Sequence, residues 1–225
     1  MRHQHQPFSY LKFSFTLTYI LLLTTGLITF IEALRTENEN VRHVMNLETC
    51  ISVVAAYFYG VFLQQIHNRP NSSSINYKLI SQTRYTDWCI TTPMMLLCLC
   101  IVLGMHTEEH LKLQDFLIII FLNYAMLLTG YLGEIGVLKP FTACLLGFIP
   151  FKLMFAYIYY RFVEPKYIKA NYILFLIYFF VWSFYGAVYL LDNVYKNIGY
   201  NTLDCIAKCL IGLGLWAYYT KIIIL

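Results

Sequence analysis

The sequence predicts an all-α integral membrane protein, built as a bundle of seven transmembrane helices. Only 12% of its 225 residues are charged and 59% are hydrophobic, whereas soluble domains carry roughly 25% charged residues. The apolar residues form long continuous runs rather than the alternating pattern of a β-barrel, and a helix needs about 20 such residues to cross a bilayer. Seven segments meet this requirement, at about 10–33, 46–67, 82–104, 114–133, 140–162, 171–191 and 200–224.

The connections between these segments are short and polar, so we expect a single seven-helix domain over residues 1–225. The net charge of +4 is small and spread over the connections, which argues against a nucleic acid partner. Lys and Arg residues divide almost evenly between the two sides, so the positive-inside rule does not fix the orientation. All seven cysteines fall within predicted spans, and we interpret them as small buried hydrophobic residues.

The last segment contains an ionisable pair. Lys208 follows Asp204 by four residues, which places both side chains on one helical face. A charged amine near the middle of a span costs at least ~2.5–3.5 kcal/mol on insertion scales, so it usually marks a functional position. Two interpretations are open: a buried salt bridge that locks two helices together, or a lysine that carries a cofactor as a Schiff base with Asp204 as part of its counterion.

The third segment contributes further polar residues. Asp87 and Thr91 are four residues apart, so they share a helical face and the hydroxyl can bond the carboxylate. Arg84 lies one turn before Asp87 and is expected to balance acids inside the bundle, because an unpaired buried charge is very costly. With Lys208 and Asp204 these residues form a quartet of near-zero net charge. It is either a structural ion cluster or a protonated Schiff base with two carboxylate counterions.

These residues resemble the motifs of the microbial rhodopsins. The third-helix pattern Arg-Tyr-x-Asp-Trp-x-x-Thr-Thr-Pro is present over Arg84–Pro93, and the seventh-helix pattern Asp-x-x-x-Lys over Asp204–Lys208. Trp-x-x-Tyr of the sixth helix is found at Trp182–Tyr185, and Met-x-x-Thr-Gly of the fourth at Met126–Gly130. The resemblance covers all seven segments, and the compactness of the chain is similar to that of the rhodopsins of giant algal viruses.

The resemblance implies a bundle of microbial rhodopsin type, with all-trans retinal bound covalently to Lys208 as a protonated Schiff base. It makes Asp87 the primary counterion and first proton acceptor, Asp204 the second counterion, and Arg84 a gate on the outward side. Tyr59 occupies the place of a second-helix tyrosine that hydrogen-bonds the seventh-helix aspartate. The side chains implied to shape the retinal pocket are Trp88, Thr92, Met95, Met126, Gly130, Phe151, Trp182 and Tyr185.

The resemblance also bears on orientation and partners. It implies a multi-pass protein of the lipid bilayer with its N-terminus outside and its C-terminus in the cytoplasm. Protons or small cations are the expected transported species, and a homo-oligomer, either a trimer or a pentamer, is usual in the family. A photoreceptor of this kind is expected not to be an enzyme.

The inner half of the sequence departs from the pumping members of the family. They carry an acid eleven residues after the position of Asp87 as internal proton donor, whereas this chain has Cys98, and a thiol is a weaker acid than a carboxyl group. Glu48, where the second span begins, is expected to face Cys98. Its interpretations are a solvated helix start, since acids favour that end, or a proton donor or inner gate that has moved to the second helix.

The combination favours a light-driven outward proton pump, because the Asp87–Thr91 pair matches the pumping relatives. The missing acid at Cys98 keeps a light-gated cation channel as the alternative, since some viral relatives are similar to channels. A sensory photoreceptor with a transducer partner is the third possibility.

Overall fold

The computed structural model describes residues 2–67, 69–107 and 111–223, with side chains described from residue 8 onward except that of residue 106. Residue 224, the predicted end of the seventh segment, lies outside this range. The described residues form helices α1 to α8 in chain order: Arg2–Arg35, Glu39–His67, Tyr77–Thr107, Leu113–Glu134, Pro140–Ile158, Lys169–Tyr189, Asn193–Asp204 and Ile211–Tyr219. A short 3₁₀ turn, Ser72–Ser74, connects α2 to α3.

Two π-helical segments continue the α-helices. Tyr159–Val163 extends α5, and Cys205–Leu210 joins α7 to α8. We call α7, this second π-helical segment and α8 together the seventh rod, since they run from 193 to 219 without a break. The predicted all-α architecture of seven rods is thus confirmed for the described residues.

Helices α1 to α6 each contain a stretch long and apolar enough to cross a membrane. The seventh rod does not reach that length in one α-helical piece, because the π-helical segment divides it into helices of 12 and 9 residues. Several helices begin earlier than their apolar runs predict. Helix α2 begins at Glu39 rather than at 46, after the Asn38 side chain accepts hydrogen bonds from the main-chain N–H groups of residues 40 and 41. Hydropathy marks the apolar stretch, whereas such a cap marks the helix start.

Helix α3 lies at the centre of the bundle. In its most apolar stretch 61% of the residues are buried, compared with 22–39% in the other five spans. It packs against α2, α4 and α6, while α1 closes the circle by packing on α2 and on the seventh rod. The buried polar side chains of α3 therefore face its neighbours rather than lipid; they are Arg84, Asp87, Thr91 and Thr92.

The prediction that all seven cysteines are buried is wrong for two of them. Cys50 and Cys89 are exposed on the outside of the bundle, and Cys144 and Cys205 are half-buried. Lipid and the protein core are both apolar, so hydropathy does not tell which face of a spanning helix is covered by protein.

Candidate functional site

The Lys208 amine lies between two carboxylates contributed by different rods. Lys208 belongs to the π-helical segment of the seventh rod, and only 2% of it is exposed. Its Nζ donates a hydrogen bond to Asp87 Oδ2 of α3 at 2.8 Å, and Asp204 Oδ2 lies 3.8 Å away. Both aspartates are fully buried. A buried cation with two buried anions is paired, as the cost of burying each charge requires.

The second cation of the site is Arg84, which is 1% exposed. Its Nη1 atom lies 3.4 Å from Asp204 Oδ2, and its Nη2 atom donates to Asn197 Oδ1 at 3.1 Å and Asn201 Oδ1 at 2.8 Å. One lysine and one arginine therefore face two carboxylates, which gives the quartet a formal net charge of zero. Aromatic rings surround the guanidinium within 6.0 Å, and they belong to Phe15, Tyr59, Phe62, Trp88 and Tyr200.

Asp204 is held in place by two tyrosines. Tyr59 of α2 donates to its Oδ2 atom and Tyr185 of α6 donates to its Oδ1 atom, each at 2.7 Å. Hydrogen bonds to a carboxylate are short and roughly twice as strong as neutral ones. Asp204 thus connects α2, α6 and the seventh rod, and its position is fixed more firmly than that of Asp87.

The side-chain hydrogen bond that the spacing allows between Thr91 and Asp87 does not form. The Thr91 hydroxyl donates to the main-chain carbonyl of Asp87 at 2.9 Å, which is the usual choice of a threonine inside a helix. Among the described residues, Asp87 Oδ1 has no hydrogen-bond partner. Asp87 therefore accepts from Lys208 with one oxygen and keeps the other available.

An apolar cavity of about 790 Å³, its mouth included, extends from Lys208 between α3, α4, α5 and α6. The eight side chains predicted to shape the pocket all line it: Trp88, Thr92, Met95, Met126, Gly130, Phe151, Trp182 and Tyr185. Tyr59, by contrast, lies outside the wall and contacts the site through Asp204. Gly186 and Tyr189 of the sixth helix line it as well, whereas Cys144 and Phe148 are wall residues that were not predicted.

Two glycines leave room for the aromatic side chains of the cavity wall. A Cβ atom on Gly130 would lie 2.5 Å from the Tyr85 hydroxyl, and one on Gly186 would overlap the Phe148 ring. The cavity is apolar along its length and ends at a single buried amine. Asp87 Oδ1, which has no partner among the described residues, lies beside that amine. These residues fit retinal attached to Lys208.

The inner half of the site contains Glu48 and Cys98. Glu48 is 2% exposed, and the Cys98 thiol donates to its Oε1 atom at 3.2 Å, so the two residues face each other as expected. Helix α2 begins at Glu39, more than two turns earlier. The interpretation of Glu48 as a solvated helix start is therefore wrong, because the start of the helix is elsewhere and the carboxyl is buried.

The sequence interpretation missed two of the three asparagines of the site, Asn197 and Asn201. Asn197 and Asn201 hold Arg84, and Asn123 of α4 donates to the Thr92 hydroxyl at 2.9 Å. Asn197 and Asn201 are four residues apart on one face of the polar α7, which is the signal that could have identified them.

The comparisons with known proteins agree with this geometry. The bacteriorhodopsin-like protein family matches residues 9–222 of the chain, and no curated protein sequence matches it. The crystal structure of the viral rhodopsin OLPVRII is 45% identical, with a TM-score of 0.87 over 95% of this chain and 99% of that one.

Two more distant structures share the fold. The blue light-absorbing proteorhodopsin from Med12 is 20% identical, with a TM-score of 0.76 over 94% of this chain and 98% of that one. The proton pumping rhodopsin AR2 from the marine alga Acetabularia acetabulum is 18% identical, with a TM-score of 0.75 over 95% and 96%. With the family matched over nearly its whole length, the chain belongs to the bacteriorhodopsin-like proteins and is a multi-pass microbial rhodopsin of viral type.

Proposed function

We propose that this protein binds all-trans retinal on Lys208 and uses light to move protons outward across the membrane. The observation that carries the proposal is the Lys208 amine, 2.8 Å from a buried Asp87 and at the end of an apolar cavity. Family membership supports retinal as the cofactor. The direction of transport follows from what lies on each side of the amine.

When bound as a protonated Schiff base, retinal would supply a light-driven change that turns the N–H bond of the Lys208 nitrogen. Asp87 is placed to accept that proton, because its Oδ2 atom is already the hydrogen-bond acceptor of the nitrogen. Asp204 stays the fixed negative charge, since Tyr59 and Tyr185 both donate to it. Arg84, buried among aromatic rings and bonded to asparagines, gates the outward side.

Glu48 is the group that returns a proton from the inner side. It is a buried carboxyl on α2, and its neighbour Cys98 donates to it rather than replacing it as an acid. Thr91 supports the site from α3 through the main chain of Asp87. In this proposal one proton passes from Glu48 to the Lys208 nitrogen and another from Asp87 to the outside in each cycle.

The wider organisation follows from the same assignment. We propose that residues 1–225 form one retinal-binding domain, with the N-terminus outside and the C-terminus in the cytoplasm, and that copies assemble as a trimer or pentamer. The function is transport rather than enzymatic catalysis. A light-gated cation channel is the second candidate, favoured by Cys98 at the place where pumping members carry an acid on the third helix.

The current–voltage relation under light separates the pump from the channel. Cells that express the protein with retinal should give outward photocurrent at every holding voltage, because a pump moves charge against the gradient. Cells that express Lys208→Ala serve as the control and should give no photocurrent. A photocurrent that reverses sign at a voltage set by the sodium or potassium gradient would overturn the pump in favour of the channel.

The role of Glu48 is tested by substitution to Gln, which keeps the size of the side chain and removes the proton. Recovery of the dark absorption after a flash should slow by about tenfold or more, since a well-placed proton-transfer group contributes about 10²–10⁴-fold. Glu39→Gln is the matched control, because Glu39 is an exposed acid of the same helix. Unchanged recovery in Glu48→Gln would remove Glu48 from the mechanism.

A further inference from the structure

Two buried hydroxyl groups on helices that pack around Glu48 make no well-aligned hydrogen bond among the described residues. They are Thr25 Oγ1 of α1, which faces the Cys209 thiol, and Ser52 Oγ of α2, and both residues are 0% exposed. Buried polar groups nearly always have a partner, because an unsatisfied one is costly. Two such groups beside one buried carboxyl therefore call for an explanation beyond packing.

The contacts around Gly212 bring Thr25 and Glu48 together. A Cβ atom on Gly212 would lie 2.8 Å from Glu48 Oε2 and 3.2 Å from Thr25 Cγ2, so the two side chains meet at this bare stretch of α8. Gly212 follows Lys208 by four residues, which is about 6 Å along a helix. The carboxyl and the Thr25 side chain thus lie about one helical turn to the inner side of the retinal lysine.

Ser52 extends this polar patch along α2. It follows Glu48 by four residues and so shares its helical face. On the same helix Tyr59, which bonds Asp204, marks the level of the counterions. Ser52 therefore lies between the Glu48 level and the counterion level. The backbone of α1 approaches it closely, because a Cβ on Gly26 would be 3.3 Å from Ser52 Cβ.

The neighbouring threonines show that these two hydroxyls differ from ordinary helix threonines. Thr29, one turn from Thr25 in α1, donates to the main-chain carbonyls of residues 25 and 26 and pairs with Thr49 at 2.9 Å. A helical Ser or Thr that does not bond its own helix is free to bond something else. Polar patches of two or three such groups are where buried water is held.

We propose that Thr25 and Ser52 are positioning residues for proton return, which hold the hydrogen-bonded path from the Glu48 carboxyl to the nitrogen of Lys208. This deepens the proposed function and rests on Glu48 as the donor. The O–H bond of Glu48 breaks and an N–H bond forms at Lys208, while each hydroxyl or water along the path accepts one proton and gives another. Glu48 is left as a carboxylate, which takes its next proton from the inner aqueous side.

The first test compares variants of Thr25 in flash spectroscopy of the retinal-bound protein. Thr25→Val keeps the shape and removes the hydroxyl, and dark recovery should slow by about tenfold, the low end of what a positioned proton-transfer group contributes. Thr25→Ser restores the hydroxyl and should recover within about twofold of the wild type. Thr29→Val is the control, because it removes an equally buried hydroxyl of the same helix that already has partners. Ser52→Ala, a small change that the fold should tolerate, gives a second, independent slowing.

The second test uses the retinal-free protein and therefore does not depend on activity. The infrared carboxyl band that disappears in Glu48→Gln identifies Glu48. In Thr25→Val and Ser52→Ala this band should move to higher wavenumber, because the water that each hydroxyl is proposed to hold no longer donates to the carboxyl. In Thr25→Ser and Thr29→Val it should stay in place.

The outcomes separate this inference from the proposed function. If Glu48→Gln slows recovery but Thr25→Val and Ser52→Ala leave both kinetics and the infrared band unchanged, the path is elsewhere and only the inference fails. If Glu48→Gln itself has no effect, the donor assignment fails with it. Equal slowing in Thr25→Val, Thr25→Ser and Thr29→Val would show that packing of α1, rather than its hydroxyl, matters, and this would also overturn the inference.

Discussion

At the residue scale, Lys208 is distinguished by its burial and by the groups that surround its amine. Lys152, on α5, is the other lysine within a central part of a span, but it is exposed. Lys208 has two buried carboxylates within 3.8 Å and an apolar cavity beside it. The neutralised charge and the apolar cavity are what covalent attachment of retinal requires.

Replacement of each lysine by alanine tests this difference. Lys208→Ala should abolish visible absorbance after incubation with all-trans retinal, because no amine remains at the end of the cavity. Lys152→Ala should keep the wild-type spectrum. A coloured Lys208→Ala protein that still holds retinal covalently would contradict the assignment of the site.

Residue motifs in the sequence were sufficient to locate the charged groups, but not their hydrogen bonds. Arg84, Asp87, Asp204 and Lys208 could be identified because the spacing of charged residues within apolar helices is distinctive. The choice of Thr91 between the carboxylate and the main chain depends on a side-chain rotation that spacing does not encode. The partners Asn197 and Asn201 come from α7, and their contact with Arg84 exists only once α3 and the seventh rod are packed together.

At the element scale, the seventh rod carries the site on a π-helical segment. Cys205–Leu210 contains Lys208, and α8 follows with two glycines near its start. π-Helical segments inside α-helices are rare, and those that occur are often found at functional sites. Gly212 faces the interior against Glu48, whereas Gly214 has no atom within 4 Å of its Cβ position.

These two glycines form a matched pair for substitution. Gly212→Ala must displace the Glu48 carboxyl or the Thr25 methyl group, so dark recovery after a flash should change by several fold. Gly214→Ala adds a methyl group in open space and should leave recovery unchanged. It should also stabilise the helix by up to about 1 kcal/mol, the difference in propensity between Ala and Gly. Identical kinetics in both variants would show that the close approach at Gly212 does not position Glu48.

At the scale of the whole molecule, retinal would bind between rods rather than within one. The cavity wall is formed by α3, α4, α5, α6 and the seventh rod, and few polar groups interrupt it. A ligand that binds only the folded state raises its stability by mass action. Filling the space between five rods also adds the packing contacts that an open cavity lacks.

Retinal should therefore raise the thermal stability of the protein. We expect the retinal-bound form to unfold several degrees above the retinal-free form, measured by circular dichroism in the same detergent. Lys208→Ala incubated with retinal should unfold near the retinal-free wild type, because covalent attachment is lost. Equal midpoints for the bound and free wild type would contradict retinal as a packing element of the bundle.

The sequence by itself determined the class, the seven rods, the charged quartet and the wall of the cavity. The class, the rods and the quartet depend on local pattern, namely the length of apolar runs and helical spacing, whereas the wall residues were implied by the resemblance of the motifs to those of the microbial rhodopsins. Only the tertiary structure decided that Thr91 bonds its own helix, that two asparagines hold Arg84 together with Asp204, and that Glu48 is buried against Gly212. These features are contacts between separate helices or choices of rotamer, and their energies depend on neighbours that are distant in the sequence.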